Sequence, residues 1–234
     1  MKYAVVFVFG CFIQPLIAQH FSFWMKMELK HPISNKLNLT WDLQYRRQNA
    51  SEGISPFSRP LQISIRPWLD YKKGNNKIGF LPFSYIQLNR LVFQPLDEVK
   101  LPSSEVRSAI YFENTQLLIE KYSFSNKLIL EVRNFLNTKN DVMRLRYRLQ
   151  GTSNTLLSSN FLKFSYFNEF FVNVLGISSN SIFDNNRTGV LFGFNKKNIL
   201  FEIGYQYILR NISTYVDFVQ ENSFMLNFRY NFQK

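Results

Sequence analysis

A chain of 234 residues that is 46% hydrophobic and 17% aromatic, with only 9 Gly and 8 Pro, is neither a flexible linker nor a low-complexity segment. Its length suits one large all-β domain better than two ordinary ones. A net charge of +12 points to anionic partners, and one cysteine excludes a disulfide framework.

Residues 1–19 read as a signal peptide that is removed. Lys2 gives the positive start, an apolar run covers residues 4–13, and Leu16, Ile17 and Ala18 precede Gln19. The run is shorter than the roughly 20 residues a spanning helix needs. Removal takes away Cys11 and one of the 28 basic residues, leaving residues 20–234 as a single domain of net charge +11 against 16 acidic residues. Export makes nucleic acid the least fitting anionic partner, behind lipid and acidic sugars.

From residue 21 strand-like segments follow one another. Phe21, Phe23, Met25, Met27 and Leu29 alternate with Ser22, Trp24, Lys26, Glu28 and Lys30, as side chains of a strand point to opposite faces. A turn at residues 31–35 carries Pro32. Residues 37–46 alternate again, and a polar loop covers 47–58. Segments 61–71 and 77–88 flank a tight turn, although Pro67 and Pro82 weaken them as strands. A loop at 89–103 leads to 105–121, read as one strand or as two with a break near Asn114. A tight turn is expected at 123–126, a strand at 128–135, and a loop at 136–141.

Residues 142–149 carry the clearest pattern. Arg144, Arg146 and Arg148 share one face; Met143, Leu145, Tyr147 and Leu149 share the other. A polar connector is expected at 151–160, strands at 161–173 and 187–194, a hairpin turn at 195–198, and a strand at 199–209. The last segment, 221–232, puts Phe224, Leu226, Phe228, Tyr230 and Phe232 on one face.

Short and long connections alternate along the chain. A soluble sandwich has no reason to do this, whereas a membrane barrel collects short turns at one rim and long loops at the other. The segments also reach the roughly 9–11 residues a tilted strand needs to cross a bilayer. The expected fold is an all-β transmembrane up-and-down antiparallel β-barrel in the outer membrane. Eleven segments are visible. Bacterial single-chain barrels have even counts, so twelve strands are expected, with ten as the alternative. Outer-membrane lipid is then a partner, and so is the assembly machinery through the aromatic C-terminal strand.

The runs Phe167-Asn168-Glu169-Phe170-Phe171-Val172-Asn173, Phe183-Asp184-Asn185-Asn186-Arg187 and Glu202-Ile203-Gly204-Tyr205-Gln206-Tyr207 resemble a Gram-negative outer-membrane β-barrel family known only as a domain of unknown function. The arginine strand and an early strand with Trp24 fit the same pattern, and Gly189 and Gly193 keep part of its glycines. The resemblance implies fold and location and supplies no chemistry.

By alternation, Glu131, Arg133, Arg144, Arg146, Arg148, Lys163, Glu169, Arg187, Glu202 and Arg229 should point into the lumen. One reading is a passage for anions, since guanidinium forks match carboxylates and phosphates and charged rings set pore selectivity. The other is that the arginines pair with Glu131, Glu169 and Glu202 and plug a narrow bore. Trp24, Trp41, Trp68 and the many Tyr are candidates for interfacial girdles, with ordinary packing the equal alternative for any one of them. His20 and His31 are the only histidines, and His31 near Ser34 and Asn35 is ordinary turn composition, so no enzyme is expected. No metal or cofactor is expected either: there is no His/Cys cluster, and Asp184-Asn185-Asn186 lacks calcium-loop spacing. The leading reading is a narrow channel for small anionic solutes. A closed structural or partner-binding barrel of an envelope complex is the alternative, and a lipid-modifying enzyme ranks third.

Overall fold

A computed structural model of the chain describes residues 20–119, 121–137, 141–157, 160–176, 182–211 and 218–233. The expected signal peptide lies outside the described residues. Eleven strands close into one barrel: β1 (His20–Pro32), β2 (Leu37–Gln48), β3 (Arg59–Lys73), β4 (Asn76–Leu88), β5 (Ser103–Ile119), β6 (Tyr122–Phe135), β7 (Asp141–Leu157), β8 (Asn160–Leu175), β9 (Phe183–Lys196), β10 (Ile199–Arg210) and β11 (Val219–Asn231). One helical turn, α1 (Pro95–Glu98), lies between β4 and β5.

The expected counts of twelve and ten strands are therefore corrected to eleven among the described residues. The correction has a geometric consequence. Strands that alternate in direction close antiparallel only when their number is even. With eleven, the first and last run the same way, and β1 pairs β11 in parallel from His20↔Glu221 to Lys30↔Asn231. Every other neighbouring pair is antiparallel.

β1 and β2, β3 and β4, β5 and β6, β7 and β8, and β9 and β10 are joined at one rim, where the turns 33–36, 74–75 and 197–198 are described; the other rim carries the longer segments 49–58 and 89–102. Gly74 and Lys197 turn the chain with positive φ of 57° and 52°. Two expected connections prove to be strand. Asn126 pairs Asn114, so no turn occupies 123–126 and β5 passes Asn114 without a break. Gly151, Thr152, Ser153 and Asn154 pair the residues 163–166 of β8, so the polar connector is the rim of a hairpin. Polar composition marks a strand rim as well as a loop, since both leave the apolar belt.

Outside and inside are the reverse of a soluble sandwich. Ile63, Phe80, Ile110, Phe112, Phe192, Ile203 and Phe224 face outward and are 48–57% exposed. Asp42, Arg46, Glu105, Glu131, Arg144, Glu169 and Glu221 are buried inside. Trp24 lines the interior and Trp68 packs within it, which corrects the girdle reading for both; Trp41 does face outward. One interior corner is apolar, built from Trp68, Leu81, Ala109, Tyr111 and Ile129. Gly79 makes it possible: a Cβ there would come within 2.0 Å of the Tyr111 ring.

Candidate functional site

The barrel encloses an elongated cavity of about 1350 Å³. Lys30, Asn195 and Asn231 line it near the short-turn rim; Arg90, Phe93 and Gln94 line it at the long-loop rim. Among the described residues, seventeen basic side chains face this space against seven acidic ones. Four more carboxylates, Asp42, Glu105, Glu131 and Glu221, are buried in the wall. The lining is therefore cationic even after the buried acids are counted.

The alternation of β7 delivers the arginine wall. Arg144 binds Glu131 and Asp184, each at 2.6 Å. Arg146 bridges Glu131 at 2.5 Å and Glu169 at 2.8 Å. Arg148 lies over the Phe167 ring, 4.1 Å from its centre. Arg133 pairs with Glu105 at 2.9 Å, Lys163 with Glu202 at 2.8 Å, and Arg229 with Glu28. Arg187 lies 4.2 Å above Phe171 and donates its Nε–H to Asn185. Of the sequence-derived candidates, Arg133, Arg144, Arg146, Arg148, Lys163, Glu169, Arg187, Glu202 and Arg229 line the cavity, and Glu131 sits beneath the arginines as their shared counter-ion.

Sequence reasoning from residue 128 onward missed half of this network. Arg107 joins Glu105. Glu221 accepts from Arg46 at 2.6 Å, from Arg210 at 2.7 Å and from the Ser22 hydroxyl at 2.5 Å. These contacts tie β1, β2, β10 and β11 together across the parallel seam. The signal was the same alternation: Ser22, Trp24, Lys26 and Glu28 share one face of β1. Phe167 and Phe171 were also missed as inward residues, although they share a face with Glu169. They are 1% and 0% exposed.

At the long-loop rim residues 89–102 fold over the mouth. Gln48 anchors them: its Oε1 accepts from Val92 N–H at 3.1 Å and from His20 Nε2 at 2.8 Å, and its Nε2 donates to the Arg90 carbonyl at 2.7 Å. Glu98 holds the far side through Ser51 and Arg59. Burial works against the ionised form of Asp97, yet the Lys100 ammonium and the N–H groups of Phe93 and Gln94 outweigh it and hold its carboxyl below the usual range.

The arrangement of guanidinium groups is chemically suited to contact with oxyanions, and the His31 ring stacks on Phe232 with centroids 3.8 Å apart. No curated protein and no solved structure matches the chain. A family model described as protein of unknown function (DUF2490) matches residues 21–219, from β1 to the first residue of β11. The chain belongs to that family.

Proposed function

We propose that the protein is an exported outer-membrane barrel whose lumen passes small anionic solutes. The observation that carries the reading is the cavity lining, which runs from rim to rim with seventeen basic side chains against seven acidic ones. Such a lining raises the local concentration of anions and disfavours cations. The outward belt of half-exposed Phe, Ile and Leu supports a lipid setting, where a closed barrel satisfies every backbone group. The shortest strands have 12 residues. At about 3.3 Å per residue and a tilt of about 40°, such a strand rises roughly 30 Å, enough for a bilayer core. The proposed partners are lipid, the machinery that inserts barrels, and the solute. No catalytic step is involved.

A closed barrel is the second reading, favoured by the dense pairing around Glu131 and by residues 89–102 folded over the mouth. Single-channel recording in planar bilayers separates the two. Passage predicts current steps with anion preference, reduced when Arg148 and Arg187 are both replaced by Ser. A folded barrel that inserts and carries no current is the closed form.

A further inference from the structure

The three arginines of β7 are not equivalent. Arg144 and Arg146 each engage two carboxylates. Arg148 has no carboxylate within 4 Å among the described residues, and its buried Nε has no acceptor. Arg187 repeats the arrangement two strands away. It lies over Phe171, stands 5.4 Å from the centre of the Trp24 ring, and among the described residues has only the neutral Asn185 as a side-chain acceptor. Register sets Arg148, Glu169 and Arg187 side by side across β7, β8 and β9, yet the Glu169 carboxylate is turned to Arg146. The two free guanidiniums therefore start from backbones about 10 Å apart, two strand spacings.

A ring beneath a guanidinium satisfies its face by cation–π attraction and leaves its in-plane N–H donors unused. Charge held away from water without a carboxylate in contact is costly, and Glu169, between the two arms, is already engaged with Arg146, so such a pair gains most from an incoming anion. The platform is fixed beforehand. Phe167 and Phe171 are fully buried, and Phe167 seats against Gly189, where a Cβ would come within 2.6 Å of the ring. A fixed platform lowers the ordering cost of binding.

We infer that Arg148 and Arg187 are the two arms of a binding site for a small organic dianion, a dicarboxylate or a phosphate monoester. Each arm gives an N–H fork to the ligand's charge, and Phe167, Phe171 and Trp24 form the floor. The inference rests on the passage reading and sharpens it by naming the solute's chemistry.

The test uses the full mature chain refolded in detergent. Succinate, glycerol phosphate and acetate are titrated by calorimetry and by tryptophan emission, since Trp24 adjoins Arg187. Saturable binding of succinate or glycerol phosphate, at least about tenfold tighter than acetate, is expected, and the tighter of the two names the acid group. Arg148→Gln and Arg187→Gln should each weaken it about tenfold or more, while Lys73→Gln, at an exposed cation outside the cavity, leaves it unchanged. Absence of saturable binding to the unaltered chain overturns the site, as does equal weakening by Lys73→Gln. If Arg187→Gln fails to fold, Arg148→Gln carries the comparison. Binding without single-channel current sustains the site and removes passage; current without binding removes the site and leaves passage.

Discussion

Between β3 and β6 the interior is filled by Trp68, Leu81, Ala109, Tyr111 and Ile129. Between β6 and β9 it is filled by Glu131, Glu169, Asp184 and the arginines 144, 146 and 187. The apolar corner is sealed by contact, and its Tyr111 hydroxyl donates to Asp70. The charged wall is sealed by matching Arg144 and Arg146 to carboxylates, and it leaves Arg148 and Arg187 without a carboxylate in contact. The contrast teaches that filling a bore and charging it are separable: packing accounts for the first, and an imbalance of paired charge accounts for the second.

Five substitutions break or sharpen that contrast, each read by urea unfolding in detergent. Glu131→Gln removes the charge that Arg144 and Arg146 share, and breaking a buried pair of this kind costs about 3–5 kcal/mol, the largest expected loss. Gly79→Ala drives a methyl into the Tyr111 ring, an overpacking worth about 1–3 kcal/mol, whereas Gly151→Ala meets nothing within 4 Å and should lie within about 0.5 kcal/mol of the parent. Tyr111→Phe leaves Asp70 its contacts with Thr40 and Lys77 and costs about 1 kcal/mol. Arg148→Gln, with no carboxylate in contact to strand, costs less than about 1 kcal/mol, while reducing anion preference. Equal losses for Glu131→Gln and Arg148→Gln would erase the distinction between matched and unmatched arginines.

The fold was legible wherever the message is local. Alternation alone set Arg144, Arg146 and Arg148 on one face and Phe224, Leu226 and Phe228 on another, because period 2 is written into every strand. The polar stretches 123–126 and 151–154 were misread because a strand rim and a turn share composition. The strand number was misread because an even count is a habit of the class, and the parallel seam is the fold's way around it. Phe167 and Phe171 were legible in principle, two residues either side of Glu169. Which arginine stays unmatched was not. That depends on Glu169 turning toward Arg146 instead of Arg148, a side-chain geometry that no spacing encodes.

The parallel seam also dictates where a tag would be found. Since β1 and β11 point the same way, a peptide fused ahead of His20 emerges among the long loops, and one fused after Asn231 emerges among the tight turns. Held in a bilayer, the two labels would report from opposite compartments, and one end of the polypeptide must be carried through or around the wall before the last edge zips shut.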